Sequence, residues 1–208
     1  MSRSPDREPN GGGKRRLLVV DDEPTLRLGF SYALSNRETV VDTAATGRQA
    51  LEKTKAGTYD VIILDLRMPD IDGLGVIETL RLSGNLTPIV LCSAAVTPLA
   101  ALRAIQHRVL DFLLKPVRPA DLRDVVTFIL EPPDTAISKA LVAARAGQVD
   151  TALQHVKAEA GHDRNAAAWV EILEFVLRPS DDEEDPANGQ FLQSSLAALA
   201  FRSSSHSS

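Results

Sequence analysis

Four short aliphatic runs in this sequence each end on a residue that can do chemistry. Residues 17–20 are followed by Asp21, Asp22 and Glu23, residues 61–64 by Asp65, residues 88–92 by Ser93, and residues 112–114 by Lys115. Brought together, Asp21, Asp22 and Asp65 repel one another by kilocalories at intermediate dielectric. A hard divalent cation removes that conflict. Mg²⁺ takes oxygen ligands, retains waters and leaves positions for a phosphoryl oxygen. A carboxylate beside such a metal can attack phosphorus and form an aspartyl phosphate. Lys115 then offers the new phosphate a fixed positive charge, and the Ser93 hydroxyl offers it a hydrogen bond. Singly, each residue has a plainer reading. An Asp pair before Pro24 is a helix start stabilised by the helix dipole, and Met68-Pro69-Asp70 with Asp72-Gly73 is a turn. The joint placement at four strand ends carries the argument.

That placement needs a scaffold, and the rest of the pattern supplies one. Runs at 17–20, 39–41, 61–64, 88–92 and 112–114 have strand length and no polar alternation, as in strands covered on both faces. Between them, apolar residues recur at helical spacing: Leu26, Phe30, Ala33 and Leu34; Ala50, Leu51 and Thr54; Leu74, Ile77 and Leu80; Leu99, Leu102 and Ile105; Leu122, Val125, Val126 and Ile129. Five alternations of strand and helix predict an α/β fold with a parallel sheet between two helical layers. Ligands of such sheets bind beyond the carboxyl ends of the strands.

With these spacings, residues 15–130 resemble the response-regulator receiver family. Asp21-Asp22-Glu23-Pro24 is similar to its acidic pair, and Asp65 through Gly73 to its phosphorylation segment. Ser93-Ala94 and Lys115-Pro116 are similar to its switch hydroxyl and lysine, and Phe112 stands at its switch aromatic. The resemblance implies a five-stranded doubly wound, flavodoxin-like sheet of order 2-1-3-4-5. It implies Asp65 as phospho-acceptor, Asp22 and Asp65 as direct Mg²⁺ ligands, Asp21 acting through water, and the Arg67 backbone carbonyl as a further ligand. Lys115 would bind phosphoryl oxygens, and its bond to Pro116 would be cis. The implied donor is a sensor histidine kinase or phosphotransfer protein, and the implied catalysis is limited to self-phosphorylation and autodephosphorylation. The Arg67 side chain, two residues past the acceptor, would modulate the lifetime of the phosphate. One departure stands out: Arg108 and Val109 occupy the place of a small pair that precedes the last strand in the family.

Composition sets the remaining bounds. The chain has 208 residues, 44% hydrophobic and 25% charged, enough for one ordinary domain and a smaller appendage. No run is long and apolar enough to span a bilayer, and the first residues lack the apolar centre of a signal peptide, so a cytoplasmic protein with no membrane contact is expected. Cys92, the one cysteine, sits in an apolar run and reads as core. His107, His155, His162 and His206 lack metal-ligand spacing and read as surface residues. Residues 1–14 read as a disordered leader and 131–134 as a linker. Residues 135–178 read as a short helical output segment. Its first helix is expected from Asp134 as cap to Gly147, its second from Asp150 as cap to Gly161, and its third runs on past Trp169. Residues 147–160 weakly resemble a tetratricopeptide unit, which needs a neighbour to bury its face. An acidic disordered linker at 179–190, an amphipathic helix at 191–201 and a disordered tail at 202–208 complete the organisation. From Glu131 onward 12 acidic side chains face 6 Lys and Arg. That balance opposes DNA binding, and favours an unidentified protein partner for the helices over a DNA-binding transcriptional regulator with an atypical output domain.

Overall fold

The computed structural model describes residues 14–109 and 111–159. Residues 1–13 of the expected leader, the third helical pattern with Trp169, and the features expected at 179–190, 191–201 and 202–208 lie outside the described residues, as do Gly161, His162 and His206.

Five parallel strands form one sheet in the order β2-β1-β3-β4-β5: β1 Arg15–Val20, β2 Thr39–Ala44, β3 Val61–Asp65, β4 Ile89–Ser93 and β5 Asp111–Leu114. Five helices alternate with them, α1 Pro24–Leu34, α2 Gly47–Ala56, α3 Gly73–Leu82, α4 Pro98–Gln106 and α5 Pro119–Leu130. Every residue of β3 and β4 is buried, because helices cover both faces of the sheet. Successive side chains of a strand point to opposite faces, and the core divides accordingly. Leu18, Val20, Ile62, Leu64, Ile89 and Leu91 pack with Ile77 and Ala104 of α3 and α4. Leu17, Val19, Ile63, Val90, Cys92 and Leu113 pack with Phe30 of α1 and Leu122 of α5. The expected flavodoxin-like order is the one observed, and Cys92 is core as read, its thiol pushed up to about 12 by burial.

Local signals start the helices where the chain needs to turn. Thr46, Asp72 and Thr97 each accept an N–H bond three residues on, capping α2, α3 and α4. Pro24, Pro98 and Pro119 open α1, α4 and α5 at the position where a missing N–H costs nothing. Two further helices follow, α6 Ala136–Arg145 and α7 Val149–Glu159. Their existence agrees with the sequence pattern but their caps do not. Thr135, not Asp134, caps α6 by accepting from the Ser138 N–H, and Asp134 instead pairs with Lys139 at 2.7 Å. Asp150 lies inside the first turn of α7, where its charge suits the helix dipole. Gly147 does end α6, with φ of 78°. Leu141, Leu153 and Val156 are buried.

Gly73 is the tightest point between this scaffold and the rim. A Cβ there would lie 2.5 Å from the Asp65 carbonyl oxygen and 2.8 Å from the Leu66 Cα, and the Gly73 N–H donates to the Leu66 carbonyl at 2.9 Å. The obstacles are backbone and cannot rotate away. Gly73→Ala is therefore expected to lower stability by roughly 1–3 kcal/mol, the usual range for overpacking, as read from the urea midpoint. An unchanged midpoint would show that α3 moves aside freely.

Candidate functional site

The register of the sheet assembles the site. Val20 pairs with Leu64, Asp65 with Cys92 and Ser93 with Leu114. Asp21, one residue past the end of β1, therefore lies level with Asp65, and Ser93 and Lys115 step along the same rim. Asp21, Asp65 and Ser93 are buried and Asp22 is exposed. One carboxylate oxygen from each of Asp21, Asp22 and Asp65 lies within 4.8 Å of the others, the group among the described residues that could hold a metal ion. Three oxygen donors, two buried and one facing solvent, suit a hard cation that keeps part of its water. No histidine or thiol joins the group.

Lys115 reaches back across the rim, its Nζ 2.8 Å from Asp21 Oδ2 and 3.1 Å from Asp65 Oδ2. Its bond to Pro116 is cis, as the resemblance implies. Burial opposes the lysine charge, but the hydrogen bonds to Asp21 and Asp65 overcome it and hold its pKa above the usual value. Asp65 goes the other way. Burial raises its pKa, and the nearby Asp21 charge adds to the rise, while Lys115 and the Arg67 backbone N–H only partly offset it. The Asp21 carboxylate is occupied on both oxygens, accepting from Glu23 N–H at 2.9 Å and from Lys115.

Of the other residues singled out in the sequence, Ser93 is in place at the end of β4, but its hydroxyl donates to the Ala95 carbonyl at 2.8 Å, within its own loop. Phe112 is half-buried against the α3–α4 side of the core. Arg67 is exposed and lines a groove of about 480 Å³ between the loops after β3 and β4, with Met68, Asp72 and Thr97.

Two contributors escaped the sequence reading. Arg27, on the second turn of α1, donates from one guanidinium nitrogen to the carbonyls of Asp21 at 2.7 Å and Asp22 at 3.2 Å. It thereby fixes the backbone that aims both carboxylates. Its signal was a basic residue one turn past the acidic pair, too common to single out. Asp70, read as a turn residue, has φ of 73°, accepts from the Ile71 N–H and pairs with the Arg48 guanidinium at 3.9 Å. Backbone hydrogen bonding, led by the Ile71 N–H, pulls its pKa below the ordinary value, and the ion pair ties the loop after Asp65 to the start of α2.

This fold and rim define a receiver of the two-component type, and the family model of the response regulator receiver domain matches residues 17–127. The chain belongs to that family. It is 27% identical over 178 residues to the two-component response regulator ARR11 of Arabidopsis thaliana, covering 83% of this chain and 34% of that protein. It is 35% identical over 101 residues to the transcriptional regulatory protein TcrA of Mycobacterium tuberculosis, covering 49% and 40%. The chain thus spans well under half the length of these relatives. Among solved structures, it is similar to the chemotaxis protein CheY4 of Vibrio cholerae, with 28% identity, a TM-score of 0.53 and coverage of 56% and 99%. It is also similar to TrrA of Thermotoga maritima in complex with Mg²⁺ and BeF, with 32% identity, a TM-score of 0.50 and coverage of 55% and 98%. No described helix is long and apolar enough to cross a membrane.

The raised pKa of Asp65 has a consequence for stability. The folded state holds this proton more tightly than the unfolded chain does, so the contribution of Asp65 is full below its unfolded pKa and is lost as pH rises through the folded value. Above the folded value, and without metal, the ionised carboxylate is a net burden. Asp65→Asn is therefore expected to raise the metal-free Tm at neutral pH. Near pH 4 the gain should shrink. A lower Tm for the variant at neutral pH would mean that Lys115 more than compensates the burial.

Proposed function

We propose that this protein is a cytoplasmic response regulator in which Asp65 accepts a phosphoryl group from a sensor histidine kinase or phosphotransfer protein, and that the phosphorylated state is read through protein contacts. The observation that carries the reading is the cluster of Asp21, Asp22 and Asp65 oxygens with the Lys115 ammonium across it. In this reaction an Asp65 carboxylate oxygen forms the new O–P bond while the N–P bond of a phosphohistidine breaks. The imidazole leaves with its electron pair and takes a proton from solvent. Bound Mg²⁺ would neutralise the phosphoryl oxygens and the acidic cluster during transfer. Asp22 and Asp65 are assigned as its direct carboxylate ligands and the Arg67 carbonyl as a backbone ligand. Asp21 is assigned to act through water, a role supported by the two protein hydrogen bonds that already occupy its oxygens. Lys115 gives its charge to the phosphoryl group, and Ser93 is assigned the switch hydroxyl and Phe112 the switch aromatic. For Ser93 this requires leaving the Ala95 carbonyl.

The domain assignment that goes with this reading is a receiver over 15–130, a linker at 131–134 and an output segment over 135–178. A transcriptional role, such as the name of the TcrA relative carries, is disfavoured by the excess of acidic side chains after Glu131. No larger substrate is proposed, because the groove beside Arg67 is open and the acidic cluster lies at the rim.

Acetyl phosphate with Mg²⁺ is expected to add one phosphoryl group per chain, detected on a phosphate-affinity gel, and Asp65→Asn should abolish it. Labelling of that variant at the wild-type rate would sink the assignment. Asp22→Ala should weaken Mg²⁺ binding more than Asp21→Ala in a fluorescence titration, and the reverse order would exchange their roles.

Arg67, two residues past Asp65 and exposed, is expected near the mouth of the site, where a planar cation can hold the phosphoryl group or obstruct attacking water. Arg67→Ala is expected to change the half-life of the aspartyl phosphate several-fold while the rate of its formation changes little. An unaltered half-life removes the role.

A further inference from the structure

The replacement of a small pair by Arg108 and Val109 finds its partner in the C-terminal hairpin. Val109 is fully buried, while Arg108 adopts a φ of 62° as α4 ends, its N–H donating to Ile105 and that of Val109 to Ala104. That conformation ordinarily favours glycine and is unfavourable for an L residue. The cost is offset where the Arg108 side chain goes. Its guanidinium lies against Gly147, so closely that a Cβ on Gly147 would stand 2.6–2.9 Å from its Cζ, Nη1 and Nη2. Gly147 is the residue that closes α6, its N–H donating to Ala144 and that of Gln148 to Ala143. A cation is thus seated at the negative end of a helix dipole.

A second arginine acts from the other side. Arg145, the last residue of α6, places Nη2 at 2.7 Å and Nε at 3.2 Å from Asp111 Oδ2, with both side chains about nine-tenths buried. Asp111 is the first residue of β5 and Lys115 follows its last. The strand is four residues long, so the hairpin is tied to one end of a strand whose other end holds the acidic cluster. Both Arg145 nitrogens converge on a single oxygen. This is less than the two-oxygen fork that makes arginine–carboxylate pairs strongest, and its strength therefore depends on where Asp111 sits. The apolar residues of the hairpin, Leu141, Leu153 and Val156, are already buried, and α6 and α7 pack chiefly on each other.

We propose that Asp111–Arg145, together with Arg108 on Gly147, forms a latch that docks the α6–α7 hairpin on the receiver, and that phosphorylation at the far end of β5 loosens it. The second half rests on the function proposed above. When the Lys115 ammonium turns from Asp21 to a phosphoryl group, the end of β5 is pulled toward the rim. The displacement reaches Asp111 across four residues, and a single-oxygen bridge weakens with it. Release delivers the hairpin as a unit to a protein partner, and by linkage a partner that captures it favours the phosphorylated state.

Hydrogen exchange on the full chain tests both halves. Arg145→Gln should raise exchange in residues 136–159 at least tenfold while residues 15–130 keep their protection, and the Asp111→Arg, Arg145→Asp double variant should restore part of the loss. Wild-type exchange in Arg145→Gln would overturn the latch. Mg²⁺ with beryllofluoride, its binding followed by fluorine NMR, should raise exchange in 136–159 of the wild type and add nothing to Arg145→Gln. Beryllofluoride that binds without altering the hairpin would reduce the contact to a static anchor and overturn the coupling. Failure of beryllofluoride to bind would count against the proposed phosphorylation and not against the latch, which the Arg145→Gln comparison decides alone.

Discussion

Too many negative charges share one rim of this sheet, and a single lysine holds them. Lys115 spans from β5 to the carboxylates of Asp21 and Asp65, and several local features serve that contact. Gly73 lets α3 close on the Asp65 backbone, and Arg27 holds the carbonyls beneath the acidic pair. One ammonium does not neutralise three carboxylates, so the cluster retains a demand for positive charge. Three clustered oxygen donors of this kind suit a hard cation.

The opposite edge of the sheet shows what the same groups do when their charges are balanced. Burial opposes ionisation of Asp42, yet hydrogen bonds from Arg16 at 2.6 Å and the Tyr59 hydroxyl at 2.9 Å hold its pKa below the ordinary value. Tyr59 is pushed up to about 12 by burial and by that bond. The Arg16 guanidinium also lies 4.9 Å from the centre of the Tyr59 ring. Asp42 is satisfied by its donors, while Asp65 is under-compensated. The difference lies in the donors each carboxylate receives and in the charges beside it, since the residue type is the same.

The fifth strand joins the two ends of the molecule. It is short and lies at the sheet edge, with Leu113 buried in the core and Leu114 exposed. Lys115 and Asp111 stand at its two ends, so the strand connects the acidic cluster to the point where the hairpin docks. The departure at Arg108 and Val109 belongs to that docking, since a small residue there could not reach Gly147.

Much of the rim was legible in the sequence because it depends on short-range order. Aliphatic runs without alternation place strands, the residue after each run lies at a strand end, and parallel strands put those ends on one side. Asp21, Asp22, Asp65, Ser93 and Lys115 were found on that logic, and the order 2-1-3-4-5 came with the family resemblance. What the sequence could not decide depends on contacts between residues far apart in the chain. The caps of α6 and α7 shifted to Thr135 and away from Asp150 because several polar residues near a helix start compete, and the backbone path selects among them. The direction of the Asp65 pKa shift required knowing how deeply the carboxylate is buried and how few donors reach it. Arg27 on the acidic pair, Asp70 on the start of α2 and Arg145 on Asp111 have no local signature, since a charged side chain on an amphipathic helix or turn looks the same whether it faces solvent or a carboxylate many residues away. Composition and periodicity determined the elements and their chemical ends. Only the tertiary structure decided which charges meet, because an ion pair forms where packing brings two groups together.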